Sequence, residues 1–402
     1  MEAKFEQTSQ IEVQQKCFDH CGPAVGHCLS IAFQLISTFF IISAICALLV
    51  QLVFQLVIRS GLNKVKPSAD DFDLDEMPLS VIIVARDEES NLRRNLPSVL
   101  ASQYSNFEVV LVDDYSSDRT KLVMEEFASI DKRVKVVVNK EAFPGKKGAL
   151  NIGIEAASNE YLVFTDADCK VDKEWLRHFA VAYASGGDFV VGHGAYDRGT
   201  SWFSEFYAFE AHRSAMLYFA AAAQAAPYMC VGRSMGYSKS LFNKSEGFKP
   251  FKHIQSGSDD LFLQSVKGVA RISLVPSAVT YSLSPSSIKR WMVQRKRHLG
   301  AGKHYPFNIL LMIFLYEITN LLIPLAYLFL LFTKSEHIPL LTFLVIIRIL
   351  LFRSNAQIFS GLIRSNDDIS QLWWTEYPMS WLNALISMNI GLMKKEAWTT
   401  RR

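Results

Sequence analysis

The sequence predicts an α/β protein: an open, mostly parallel sheet with helices on both faces, flanked by membrane-spanning segments. Three observations predict it. Between about Met77 and Pro306, short β-rich apolar runs alternate with stretches of helical spacing. Two of those runs end in carboxylates, as in "FEVVLVDD" and "YLVFTDADCK". The remaining apolar excess gathers at the two ends of the chain.

The chain has 402 residues, enough for a catalytic domain plus additional segments. Half of it is hydrophobic and 20% is charged, which is apolar for a soluble protein. The formal net charge of +3 and the lack of a Lys/Arg block argue against nucleic acid as a partner.

From Leu29 to Ile58 there is no Asp, Glu, Lys or Arg. As a helix this run is roughly 45 Å long, more than a bilayer core requires. It is too long for a cleaved signal peptide, and no basic region leads straight into it. The expected organisation is a tail (1–28), an anchor (29–58), a catalytic domain (77–283), a basic interfacial helix (284–306) and a C-terminal membrane region (307–402). In that last region Ile309 to Thr333 carries one charge, Glu317, and a kink is expected at Pro324. Ile338 to Phe352 is apolar except for Arg348, and short for a span. Trp373 to Leu392 is amphipathic and suits either a span or the interface. In antiparallel neighbouring spans, Glu317 and Arg348 are expected to pair, because an isolated charge there is costly.

Basic residues mark both ends of the middle region as cytoplasmic: Arg59, Lys64 and Lys66 on one side, Lys289 to Lys303 on the other. The reading is a multi-pass protein of the cell membrane with its catalytic domain in the cytoplasm. In the tail, Cys17, Cys21 and Cys28 stand near His20 and His27 at a spacing that fits no zinc pattern. A disulfide and free thiols are the other readings. Cys169 and Cys230 lack the basic or His partner of a nucleophile.

The strands expected in the middle region are "LSVIIVAR" (79–86), "FEVVLVD" (107–113), "VKVVV" (134–138), "YLVFTD" (161–166) and "FVVG" (189–192). Helical stretches separate them, so the strands run parallel. Ligands of such sheets bind outside the carboxyl ends of the strands. Asp113, Asp114, Asp166 and Asp168 fall there. Four carboxylates around one crevice repel unless a cation joins them. Mg²⁺ or Mn²⁺ carrying a nucleotide diphosphate meets that need, with phosphate oxygens completing its shell. Helix capping is the plain alternative. "GKKG" (145–148) at a helix start suits an anion, although it lacks the Ser/Thr of a P-loop. "SDD" (258–260) opens another helix with two acids.

In order and spacing these motifs resemble the membrane-integrated glycosyltransferases of family 2. That group includes cellulose, chitin, hyaluronan and poly-N-acetylglucosamine synthases and ceramide glucosyltransferase. The resemblance covers about residues 79–305 and implies a GT-A type sheet. It implies that Arg86 and Glu88 lie beside the nucleotide and that Asp113 and Asp114 read the base. It also places Lys146 at the donor, Asp168 as the direct metal ligand, and Asp166 on the metal or beside the donor sugar. "CVGRSMGYSKS" (230–240) is similar to the acceptor-site strand, with Gly232 at the acceptor. Asp260 matches the general base. "QRKRH" (294–298) is similar to the QxxRW motif through Gln294 and Arg297, but His298 replaces the Trp that helps hold the acceptor. A second alignment, "SIKRW" (287–291), keeps Trp291 and loses the Gln. This departure counts against processive polymer synthesis more than against sugar transfer.

The implied activity is inverting transfer from a nucleotide sugar, by family a UDP-sugar, to a polysaccharide or lipid acceptor, giving a β-linkage. The alternatives are a lipid glycosyltransferase that adds one sugar, and a non-catalytic membrane scaffold. The intact acids at every motif argue against the scaffold.

Overall fold

The computed structural model describes residues 23–66, 77–140, 145–199, 201–254, 256–285, 287–364 and 369–390. The tail cysteines Cys17 and Cys21 lie outside the described residues, as does the side chain of Cys28.

The chain enters through α1 (Pro23–Leu62), whose charge-free stretch continues as one helix of 40 residues. Each of β1 (Leu79–Ala85), β2 (Phe107–Asp113), β3 (Val134–Val138) and β4 (Tyr161–Asp166) is an apolar run. Helices α2 (Glu89–Leu100), α3 (Thr120–Ile130) and α4 (Lys146–Ala156) alternate with them. After β5 (Cys169–Val171) and α5 (Trp175–Ala184) come β6 (Phe189–Tyr196) and α6 (Trp202–Ala222). The domain closes with β7 (Met235–Ser238), α7 (Lys239–Lys244), α8 (Asp260–Val266) and β8 (Ile272–Ser282).

The eight strands form one sheet in the order β3-β2-β1-β4-β7-β6-β8-β5. Strands β3, β2, β1 and β4 are parallel neighbours, whereas β7 runs antiparallel to both β4 and β6. Alternation along β1 sorts the core. Val81, Ile83 and Ala85 join the core on one side of the sheet with α2 and α5, while Ile82 joins the core on the other, which holds α4 and α6. The five strands and four helices expected from sequence are present. Strands β5, β7 and β8 escaped it for local reasons. In β7 the run is only four residues, and Gly236 is required there because a Cβ would meet the Tyr183 hydroxyl at 2.2 Å. In β8, Pro276 breaks the apolar run, and the register shift between Val191 and His193 absorbs it as a bulge.

Beyond the sheet lie α9 (Ile288–Gly302), α10 (Phe307–Phe332), α11 (Ile338–Leu362) and α12 (Glu376–Ile390). Among the described residues three helices are long and apolar enough to cross a membrane: α1, α10 and α11. The segment expected to end at Phe352 continues to Leu362, because its polar residues find partners on α1. Asn355 donates to the Gln55 carbonyl at 2.9 Å, and Arg59 donates to Ser354 at 2.8 Å.

Glu317 and Arg348 are both paired, but not to each other. Glu317 binds Arg213 of α6 at 2.7 Å, and Arg348 binds Glu376 of α12 at 2.5 Å. Arg213 also approaches Glu376 at 3.6 Å, which closes a chain of alternating charge. The correction has a simple cause: α1 packs extensively on both α10 and α11, and partners come from α6 and α12 instead. Buried charges need such partners more than they need any particular one.

Helix α1 also touches the sheet domain directly. A Cβ on Gly61 would lie 2.2 Å from the Ala220 carbonyl oxygen of α6. Gly61→Ala is therefore expected to force the two helices apart and to destabilise the protein by about 1–3 kcal/mol, the usual cost of overpacking. Thermal unfolding in detergent checks this; an unchanged midpoint rejects the close contact.

Candidate active site

Register places the first two acids. Asp113 lies level with Ala85 and Asp166 level with Val84, so acidic strand ends flank the carboxyl end of β1 on both sides.

At the β2 end, Asp113 and Asp114 are both buried. Asn139, just past β3, donates to Asp114 Oδ1 at 2.9 Å. Burial pushes the Asp114 carboxyl up, while the Asn139 hydrogen bond and the Arg86 charge oppose that shift. The Glu88 amide donates to Thr120 Oγ1 at 2.7 Å, and the Glu88 carboxylate accepts from the Asn91 amide group. Asp87 and Tyr115 adopt left-handed φ of 55° and 59°, a strained conformation at the ends of adjacent strands. Asp87 Oδ1 ties the two loops together by accepting from the Ser117 amide at 2.7 Å.

At the β4 end, Lys146 opens α4 behind Gly145, whose φ of 117° suits only glycine. Its Nζ lies 2.5 Å from Asp166 Oδ1. Burial works against the Lys146 charge, but Asp166, with Asp259 and Asp168 further off, outweighs it and holds the ammonium above its ordinary range. Asp168 follows in the turn before β5. Burial and the neighbouring Asp166 raise its carboxyl, and Arg233 and Lys146 pull the other way. Burial pushes the adjacent Cys169 thiol up to about 12, which leaves it neutral and inert.

The acidic pair sits at the start of α8. Asp259 caps the helix by accepting from the Asp260 amide at 2.9 Å, and its second oxygen accepts from Gly232 N–H at 3.0 Å. Asp260 Oδ1 accepts from Cys230 N–H at 3.0 Å, and Oδ2 accepts from the Tyr305 hydroxyl at 2.6 Å. Burial and Asp259 raise the Asp260 carboxyl well above its usual range, against those two hydrogen bonds. The two neighbours thus face different surroundings. The charge of Asp259 acts on Lys146 and Lys147, that of Asp260 on Tyr228, and both acids act on Cys230 and Tyr305. Burial brings Lys147 down to about 8, and it donates to the Ser256 carbonyl at 2.7 Å, steadying the loop before Asp259.

On α9, Gln294 donates to the Tyr196 hydroxyl at 2.7 Å. Trp291 is buried between Phe206 and Tyr207 and donates to Glu210 at 3.0 Å. Trp291 and Gln294 line one recess together with Tyr196, Glu210 and Arg295. The Arg297 and His298 side chains lie outside the described residues.

The segment 230–233 joins these groups. Its amides serve Asp259 and Asp260, and Arg233 donates to Gly194 O at 2.9 Å and Ser282 Oγ at 3.0 Å. The Arg233 guanidinium stacks 4.6 Å over the Tyr196 ring, which in turn holds Gln294. The structure therefore brings together Lys146, Asp166, Asp168, Gly232 and the acidic pair, while Asp113, Asp114 and Arg86 form a separate group across β1. Sequence reasoning missed Asn139, Tyr196, Arg233 and Tyr305. Only Arg233, a cation among small residues in "CVGRSMG", carried a local signal.

The donor set is suited to a hard divalent cation. Asp166 and Asp168 are close enough for one carboxylate to raise the other. Among the described residues no three His, Cys, Asp or Glu side chains form a closed metal site. Two carboxylates fit a Mg²⁺ or Mn²⁺ whose other positions go to phosphate and water.

The Glycosyl transferase family 2 description matches residues 80–245. A UDP-Glc:alpha-D-GlcNAc-diphosphoundecaprenol beta-1,3-glucosyltransferase, WfgD of Escherichia coli, is 34% identical over 95 residues, 24% of this chain and 36% of that protein. A poly-beta-1,6-N-acetyl-D-glucosamine synthase of Staphylococcus aureus is 32% identical over 122 residues, 30% of this chain and 28% of that protein. The chain spans 38% or less of the length of the curated relatives it matches. The mannosyltransferase PcManGT of Pyrobaculum calidifontis, solved with GDP-Man and Mn²⁺, superposes with a TM-score of 0.59 at 17% identity, covering 90% of this chain and 99% of that one. Residues 80–245 thus match the Glycosyl transferase family 2 description, on a GT-A type fold similar to that of the mannosyltransferase.

Proposed function

We propose that the chain is a membrane-bound, inverting glycosyltransferase that moves a sugar from a UDP-sugar to a lipid-linked or growing glycan acceptor, forming a β-linkage. The observation that carries this reading is the Lys146–Asp166–Asp168 cluster, which shares the segment 230–233 with the acidic pair Asp259 and Asp260. One end of this arrangement suits a diphosphate and the other a hydroxyl to be deprotonated.

Asp168, with Asp166, would hold the divalent cation. Bound there, the cation supplies positive charge that offsets the charge developing on the leaving diphosphate. Lys146 adds a fixed charge from the helix start, and Arg297 is the further cation that the family pattern assigns to the donor. Arg86, Glu88, Asp113 and Asp114 line the nucleotide side, with Gln294 beside the donor. Asp260 takes the proton from the acceptor hydroxyl as that oxygen bonds to the anomeric carbon. The anomeric carbon–phosphate oxygen bond breaks on the opposite face, and its electron pair leaves with UDP. An α-linked donor gives a β-linked product.

The three long apolar helices support a membrane setting, from which a lipid acceptor would reach the site, and the basic residues flanking the middle region are what favour the cytoplasmic side for the domain. A second reading, addition of a single sugar to a lipid, is favoured by Trp291. That ring is 2% exposed and spends its N–H on Glu210, so it offers little surface to a growing chain.

The test is a screen of nucleotide sugars for diphosphate release by the protein in nanodiscs, followed by addition of polyprenyl-diphosphate sugars as acceptors. Release from one UDP-sugar, stimulated by a lipid acceptor, is the expected result. Release from GDP-mannose alone overturns the UDP assignment. No release from any donor with either metal overturns the enzyme.

A further inference from the structure

We infer that Tyr305 is a positioning residue for Asp260, holding the carboxylate oriented and ionised from the junction between α9 and α10. The inference rests on the proposed role of Asp260 as base.

The geometry is specific. Tyr305 lies in the short connection that follows α9 and precedes α10, and its amide donates to Gly302 O at 3.0 Å in a turn. Its phenol then reaches a residue 45 positions earlier in the chain. The Asp260 carboxylate receives one donor on each oxygen, the Cys230 amide on Oδ1 and the Tyr305 hydroxyl on Oδ2. With both oxygens engaged, rotation of the carboxylate costs a hydrogen bond to a charged group.

The surroundings explain why such a donor is needed. Asp259 faces Asp260 from the preceding position, Tyr218 from α6, Tyr228 and Cys230 from the segment before β7, and Tyr305 from the junction. None of these groups is a cation. Lys146 is engaged by Asp166, and Arg233 is spent on backbone carbonyls, Ser282 and Tyr196. In this buried site a neutral base is favoured, and a base that is already protonated cannot accept the acceptor's proton. Donors that bind the ionised form oppose this, and Tyr305 is the only side chain among the described residues hydrogen-bonded to Asp260. Because Tyr305 is part of the junction, the state of the base is tied to where the first C-terminal membrane helix leaves the domain. A purely structural tie between junction and domain predicts lower thermal stability and nothing more.

The experiment is the pH profile of kcat for Tyr305→Phe, with the full-length protein in nanodiscs and the donor selected by the screen above. Phe keeps the ring and its edge contact with Tyr228, 6.4 Å between centroids. Without the hydroxyl, the carboxyl rises further. The acid limb should move up by about one to two pH units, the worth of a hydrogen bond to a charged group. On the acid side of both limbs kcat should fall by roughly 10- to 100-fold relative to the wild type and recover at alkaline pH, with the donor KM unchanged. If Tyr305→Phe does not accumulate, fluorotyrosine at position 305 serves instead; as a stronger donor it should move the limb downward. A donor-free readout is the pH titration of the carboxyl infrared band that Asp260→Asn removes, which should shift in the same direction. A profile and band that superimpose on the wild type overturn the inference, whatever happens to thermal stability. Asp260→Asn separates the two levels of the argument. Wild-type turnover by that variant overturns the base assignment itself. An inactive Asp260→Asn beside an unmoved Tyr305→Phe profile overturns only the role of Tyr305.

Discussion

Asp168→Asn is expected to lower transfer by roughly 10³-fold or more, since charge stabilisation at a leaving diphosphate is worth several kcal/mol. EDTA should silence the wild type, and Mn²⁺ or Mg²⁺ should restore it. The fold should not suffer. Asp168 is raised by burial and by Asp166, so the metal-free protein carries a repulsion that Asn relieves. Thermal stability without metal is therefore expected to stay level or to rise, while the stabilisation that added Mn²⁺ gives the wild type should disappear. These readouts pull in opposite directions, which distinguishes a metal ligand from a structural acid. Full activity in EDTA would reject the metal role, and a variant that unfolds early would reject the repulsion.

The parallel half of the sheet was legible in the sequence because β1, β2 and β4 are buried on both faces and read as apolar runs, two of which, β2 and β4, end at acids. Gly145 and Lys146 were legible for a similar reason: a glycine with positive φ before two lysines is a local pattern. The antiparallel half was not. Strand β7 is only four residues long, with Gly236 closely approached by the Tyr183 hydroxyl, and β8 is interrupted at Pro276. The missed site residues share a different cause. Asn139, Tyr196 and Tyr305 reach the site through side-chain hydrogen bonds to partners 25, 98 and 45 positions away. No periodicity encodes such contacts. The membrane charges show the same limit. Burial of Glu317 and Arg348 required counter-ions, and the sequence could say so, but Arg213 and Glu376 were chosen by helix packing.

Asp260→Asn should reduce transfer by roughly 10²–10⁴-fold, the usual contribution of a positioned base. Asn keeps the size of the side chain and one acceptor oxygen, so the bond from Cys230 N–H can persist while the proton acceptor is lost. Donor affinity should be retained, because Lys146, Asp166 and Asp168 are untouched. The neighbouring substitution is the control. Asp259 caps α8 and accepts from Gly232 N–H, and Asn is a good cap, so Asp259→Asn should cost about 1 kcal/mol of stability or less and little rate. The wild-type pH profile gives an independent reading of the same assignment. A base works only when ionised, and burial and Asp259 raise Asp260 well above the ordinary carboxylate range. Activity should therefore fall as pH drops through that raised value, at higher pH than an exposed Asp would give, and Asp260→Asn should flatten this limb. The measurements are transfer rate against pH and nucleotide affinity for both single variants. The reverse pattern, a dead Asp259→Asn beside an active Asp260→Asn, would move the base one residue back. The proton would then be taken by the carboxylate whose charge acts on Lys146 and Lys147 rather than by the one bonded to Tyr305.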